Sequence, residues 1–183
     1  MRAFLLIVLV GFCLHADAQT FPSNLVIGEK IPEFNFNHVL LYPSSSISLS
    51  ELKGKLIVLD YWATWCGSCI NTFPKLDSLQ KEFAKNVQFI LIDNKKKTGE
   101  GKQTVEKFIK NRLASLRIIP DIPIVVEDTI TQFYFPHQYI PHYVWIDPNG
   151  KLLAVTGTEF VTRDVIICLL HYLADRKKSN VVD

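Results

Sequence analysis

The sequence is poor in cysteine, with four in 183 residues. Only Cys66 and Cys69 are closely spaced; Cys13 lies in an apolar N-terminal run and Cys168 stands alone in another. A structural zinc site takes four thiolate or imidazole ligands, commonly from two short-spaced pairs. No second pair exists, and His38, His137, His142 and His171 show neither C-x-x-H nor H-x-x-x-H spacing, so no metal is expected. A strong charge of either sign is missing as well. The net charge is +2 and the lysines do not alternate with aromatic residues, so no nucleic-acid partner is expected. Nor is there a long hydrophobic run: Phe4 to Phe12 is too short to cross a bilayer. What remains, 48% hydrophobic and 21% charged residues, is the balance of one globular domain able to bury a core.

The N-terminus carries the parts of an export signal. Arg2 supplies a basic start, Phe4 to Phe12 an apolar centre, and Ala16-Asp17-Ala18 a small-x-small cleavage pattern. Residues 1–18 are read as a signal peptide, 19–175 as the mature domain and 176–183 as a polar tail. Acylation of Cys13 needs a small residue before it, and Phe12 occupies that place, so no lipid or membrane anchor is expected. Cleavage leaves Cys66, Cys69 and Cys168, one pair and one spectator, in an oxidising compartment. A dithiol kept reduced there depends on an outside electron donor.

The pair sits where strand becomes helix. Leu56 to Tyr61 is a continuous apolar run suited to a central strand covered on both faces, and Asp60 breaks it. After Cys69, Ile70, Phe73, Leu76, Leu79 and Phe83 recur at helical spacing. Two cysteines on the first turn of a helix can close a small disulfide, and the unpaired N–H groups of that turn stabilise a thiolate on the first. A lowered Cys66 pKa makes it both nucleophile and leaving group, as thiol–disulfide exchange requires. A purely structural disulfide is the weaker alternative, because so short a loop gains little entropic stabilisation. Asp60, a carboxylate costly to bury unless it has partners or work, is expected to be at least partly protonated and able to exchange a proton with Cys69; the alternative is that it points outward at the strand's end.

Further along, Phe34-Asn35-Phe36 and Ile47-Ser48-Leu49 alternate as strands about a turn at Pro43 to Ser46, and Ser50 to Gly54 makes one helical turn. Val87 to Ile92 reads as a strand, Asn94 to Lys102 as a basic loop, Thr104 to Leu116 as a helix and Ile122 to Val126 as a strand. Tyr143 to Ile146 and Leu152 to Val155 form a hairpin about Asp147-Pro148-Asn149-Gly150. Thr162 caps a last helix in which Val165, Ile166, Leu169, Leu170 and Leu173 face inward and Cys168 is read as a buried, inert thiol.

Leu56 to Cys69, with Asp60 six residues before the first cysteine, Trp65 immediately before it and Pro74 five residues after the second, resembles the active-site segment of the thioredoxin superfamily. Ile140-Pro141, followed by Tyr143 to Lys151, resembles the family's cis-proline and the hairpin beyond it. Ile47 to Lys55 resembles the lead-in of the TlpA/ResA-type extracytoplasmic thiol-disulfide oxidoreductases. The resemblance implies a thioredoxin-like α/β fold: a central mixed β-sheet flanked by helices, with an N-terminal β-hairpin and an inserted helix–strand. It implies catalytic Cys66, Cys69 and Asp60, and a substrate-binding surface from Trp65, Gly67, Ser68, Ile140 and Pro141, with no cofactor. Implied partners are protein disulfide or dithiol substrates and an upstream donor, a membrane thiol–disulfide relay; the implied setting is bacterial and periplasmic or otherwise extracytoplasmic. Gly67-Ser68 replaces the Gly-Pro of thioredoxins, and His142 stands where many carry threonine. Two other readings are a Sco-like copper-delivery protein, using His137 or His142, and a non-catalytic binding module. The former has a wider C-x-x-x-C pair; the latter needs neither cysteine. Neither cysteine has the Pro-x-x-x-Thr/Ser-x-x-Cys context of a peroxiredoxin.

Overall fold

The computed structural model describes residues 25–179. The expected signal peptide with Cys13, and residues 180–183, lie outside them. β1 (Asn35–Asn37) pairs antiparallel with β3 (Ser46–Ser48), giving the expected N-terminal hairpin. Between them β2 (Val39–Leu40) leaves the hairpin for the edge of the main sheet, a detour too short to show in the hydrophobic pattern. That sheet adds β4 (Leu56–Trp62), β5 (Val87–Asn94), β6 (Ile124–Asp128), β7 (His142–Ile146) and β8 (Leu152–Thr156), in the order β2-β6-β5-β4-β7-β8. β4, β5 and β6 run parallel, whereas β2, β7 and β8 are antiparallel to their neighbours, so the sheet is mixed.

The helical segments among the described residues include α1 (Gly67–Phe83), α2 (Lys95–Thr98), α3 (102–116), α4 (Thr131–Tyr134) and α5 (Arg163–Ser179). The crossovers β4-α1-β5 and β5-α3-β6 step in the same direction across the sheet, so right-handed connection puts both helices on one face. α5 joins them there: Phe73, Leu76, Val105, Leu113 and Ile166 share one core with Leu56, Val58 and Trp62. The other face is covered by the hairpin, the turn Leu49–Leu52 and α4; Phe36, Ile47, Leu49 and Tyr134 pack on Ile57, Leu59 and Tyr61. Period-two alternation along β4 therefore assigns even residues to the α1 face and odd ones to the hairpin face. All seven β4 residues are buried, which is why its apolar run shows no alternation.

Three expectations need correction. Cys168 is exposed, not buried. At 3.6 residues per turn it lies about 200° round α5 from the fully buried Ile166, on the side turned from the sheet. The stretch after Asn94 is not wholly loop: the Asn94 side chain accepts from the Lys97 N–H, and left-handed Gly99 ends the short helix α2. α5 also runs on to Ser179, into the stretch read as a polar tail. Its expected N-cap is present, with the Val165 N–H donating to Thr162 Oγ1 at 3.3 Å. Among the described residues no helix is long and apolar enough to cross a membrane.

Candidate active site

β4 ends at Trp62, and the chain turns through 63–65 before α1 begins at Gly67. Cys66 is the N-cap of α1, in the non-helical conformation that an N-cap requires. Its Sγ takes the place of the usual hydroxyl, accepting the Cys69 N–H at 3.3 Å, and Ser68 Oγ lies 3.5 Å away. Cys66 and Cys69 are joined in a disulfide. Cys66 reaches the surface at 6% exposure while Cys69 has none, so the first sulfur is the outer one, and Gly67 and Ser68 beside it are exposed. Trp65 stands 64% exposed at the rim and Trp62 is buried against Phe73. Pro74 interrupts α1 without ending it, removing the N–H that Ile70 O would have accepted.

Asp60 is fully buried, on the even face that β4 shares with Cys69 and Phe73. Neither carboxyl oxygen has a partner within hydrogen-bond distance. Burial holds its pKa well above the ordinary carboxylate range; the Tyr143 hydroxyl, from the residue paired with Asp60 across the β4–β7 ladder, and the charge of Lys75 pull the other way and are outweighed. The carboxyl is protonated at pH values where an exposed aspartate is charged.

Two more carboxyl groups approach from the side of β5, and motif and spacing in the sequence mark neither. Glu100, 8% exposed, accepts from the backbone N–H of Thr64 at 2.9 Å and from the Thr64 hydroxyl. It ties the segment after α2 to the turn that presents Cys66. Asp93 pairs in register with Trp62, is fully buried and has no partner within hydrogen-bond distance, and burial pushes its pKa up to about 6. The legible signal for Asp93 is positional: it ends the apolar run of β5 as Asp60 interrupts that of β4.

The odd face of β4 presents Tyr61. His137 and His142 stack on each other with ring centroids 4.6 Å apart, and both rings lie against Tyr61. His142 is pushed down to about 4 by burial and by His137, and burial also lowers His137; both are neutral at pH 7. Ile140–Pro141 is cis. Tyr61 pairs with His142, so the ladder carries Pro141 to the level of Trp62 at the end of β4. Ile140 packs on the core that holds both cysteines and lines, with Trp65, His137 and Lys97, a hollow of about 60 Å³ beside the disulfide. Trp65, Gly67 and Ser68 flank the outer sulfur in sequence, Ile140 shares a hollow with Trp65, and Asp60 lies on the β4 face that packs on Cys69. Among the described residues no three His, Cys, Asp or Glu stand close enough together to hold a metal ion.

A model of the AhpC/TSA family matches residues 27–155. The chain belongs to that family. It is 27% identical over 163 residues to thiol-disulfide oxidoreductase ResA of Bacillus subtilis (strain 168), covering 86% of this chain and 84% of that protein. With ResA of Geobacillus thermodenitrificans (strain NG80-2) the identity is 29% over 164 residues, covering 86% and 87%. Among solved structures, the exposed lipoprotein thioredoxin of Streptococcus pneumoniae strain TIGR4 superposes with a TM-score of 0.61 at 23% identity, over 78% of this chain and all of that one. The fold is thioredoxin-like, of the TlpA/ResA type. With relatives of that activity and a Cys66–Cys69 disulfide at the helix N-terminus, the protein is a thiol-disulfide oxidoreductase.

Proposed function

We propose that the protein reduces disulfides of exported proteins, with Cys66 as nucleophile and Cys69 as resolving thiol. The observation that carries this is the N-cap position of Cys66 Sγ above a fully buried Cys69. In the dithiol form the Cys66 thiolate accepts the N–H groups of the first turn of α1 and attacks one sulfur of a substrate disulfide. A mixed disulfide forms and the other substrate sulfur leaves as thiolate. Cys69 then passes its proton to Asp60, which accepts it in its ionised form, and attacks Cys66 Sγ, and the carboxyl returns that proton to the departing substrate thiolate. The substrate departs as a dithiol and the protein keeps the Cys66–Cys69 disulfide: two electrons have passed to the substrate. Trp65, Gly67, Ser68, Ile140 and Pro141 form the surface on which the substrate strand lies, the backbone beside Pro141, just before β7, offering it partners.

Return to the dithiol takes two electrons from an outside donor, which we assign to a membrane thiol–disulfide relay. The chain works outside the cytoplasm after loss of residues 1–18. The test is the equilibrium potential of the Cys66–Cys69 pair together with insulin reduction in the presence of dithiothreitol. A potential near about −270 mV with catalysed reduction is expected of a reductase; one near about −120 mV would make the protein an oxidant and overturn the direction.

A further inference from the structure

We propose that the dithiol selects substrate segments carrying acidic residues beside the reactive cysteine, received by Lys96 and Lys97 of α2. This rests on the reductase reading and names the class of sequence it acts on. The two lysines are held by built structure. Asn94 caps α2 at Lys97 N, its side chain is itself anchored by a 3.1 Å hydrogen bond to buried Asp128, and left-handed Gly99 closes the turn. The three lysines of that turn then separate by role. Lys95 is paired with Glu127 at 3.0 Å. Lys96 Nζ stands 6.0 Å over the Phe133 ring, and neither it nor Lys97 has a carboxylate within ion-pair distance among the described residues.

Lys97 faces the site. It lines the hollow beside the disulfide with Trp65, His137 and Ile140, and also an adjoining one of about 340 Å³ that it shares with Lys96, Phe133 and Pro136. No aspartate or glutamate lines either. His137, the group between them, is neutral at pH 7, so the two ammonium groups are the charges that line the two hollows, while Glu100 nearby is buried to 8% exposure and turned to Thr64. On the opposite side of the 137–141 segment the sign changes: Glu159 is the formally charged residue of the hollow formed with Tyr139, Pro141 and Phe160. A strand lying along this segment therefore meets positive charge on one flank and negative on the other. Trp65 and Phe133, 64% and 49% exposed, supply apolar contact on the positive flank. A segment with an acidic residue next to an apolar one, flanking its cysteine, matches that surface in sign and in polarity.

The test uses the reduced protein and three synthetic peptides sharing one central cysteine in mixed disulfide with a chromogenic thiol. Their flanks are glutamate-rich, neutral or lysine-rich, and the second-order rate of thiol release is followed at fixed pH. At about 0.01 M salt, where charges act over about 30 Å, the acidic peptide should react about tenfold faster than the basic one. At about 1 M salt the ratio should fall towards one. Lys96→Glu/Lys97→Glu should invert the preference, while Lys85→Glu, the reversal of one lysine beyond the far end of α1, should leave it intact. Equal rates for the three peptides, or a preference that survives the double reversal, would overturn the proposal. If no peptide reacts, it is the reductase reading that fails.

Discussion

Replacing Asp60 by asparagine tests whether burial raises its pKa and whether the group, when ionised, accepts the proton of Cys69. The side chain is fully buried, both oxygens lack partners, and burial raises its pKa in the folded state. The sign follows from linkage. A carboxyl whose folded pKa lies above its unfolded value contributes stability that is fully present below the unfolded pKa and is lost as pH rises towards the folded one. Near pH 4 the wild type and Asp60→Asn should therefore unfold at free energies within about 1 kcal/mol, since each buries a neutral polar group. Above that, the unfolded wild-type chain releases a proton that the folded chain keeps, at about 1.36 kcal/mol per pH unit while the buried group stays protonated. Asp93, the other buried acid, titrates in both proteins and cancels in the difference.

The assay is guanidinium unfolding of the disulfide-bonded proteins at intervals from about pH 4 to about pH 8, reading the difference between them. The asparagine variant should be increasingly the more stable of the two. Turnover should change in the opposite direction, with resolution of the mixed disulfide slowed by about 10²-fold, the lower range for loss of a positioned acid–base group. A gap that does not depend on pH would refute the buried protonated carboxyl. A stabilised variant with undiminished turnover would leave Asp60 without a part in the exchange.

In the disulfide form Cys168 alone should alkylate rapidly, and reduction should add Cys66 but not the fully buried Cys69, as peptide mapping by mass spectrometry will show; fast labelling of Cys69 would reverse the two roles. Glu100→Gln should cost about 1–3 kcal/mol, since the Thr64 N–H and hydroxyl share one carboxyl group, and should slow thiol exchange by freeing the turn before Cys66, whereas Thr64→Ser, which keeps both donors, should do neither. His142 has a folded pKa of about 4, below its unfolded value, so its contribution is present above about pH 6.5 and lost as pH falls through the folded pKa; His142→Phe should remove at most about 3 kcal/mol of acid sensitivity over that window, seen as a flatter unfolding profile.

The parts of the fold that could be read in advance were those with strong local patterning. The apolar runs of β4 and β5, the helical spacing after Cys69 and the Asp147–Gly150 turn each depend on neighbours in sequence. The Cys66–Cys69 disulfide was legible in the C-x-x-C spacing, and the cis Ile140–Pro141 bond in the resemblance alone. Cys168 was misread because an apolar helical run does not say which residues meet the sheet; its angle from Ile166 does. Glu100 was invisible for a different reason. Its partner Thr64 is 36 residues away, and only the crossover through β5 and α2 brings the two together. β2 spans two residues, too few for any periodicity, and exists because the edge of β6 was available to pair.

The placement of ionisable groups about β4 and β5 bears on why a sheet centre so well buried carries acids at all. Asp60 and Asp93 have no partner within hydrogen-bond distance, so each costs stability at neutral pH that an apolar residue of similar size would return. Packing gives no reason to keep them. Both lie at the end of their strands next to the active-site turn, Asp60 on the face shared with Cys69 and Asp93 in register with Trp62. The groups of the opposite face, His137 and His142, are neutral in the same pH range by the reverse shift. Burial raises Asp60 and Asp93 and lowers His137 and His142, so each carries less charge than it would in water, and the N–H groups of the first turn of α1 are what stabilises a thiolate on Cys66. Once Cys66 is tied up in a mixed disulfide, that stabilisation is no longer available to hold a thiolate at Cys69. A proton-exchanging group then has to lie within the core, and the unpartnered carboxyl of Asp60, on the Cys69 face, is the group in position to serve.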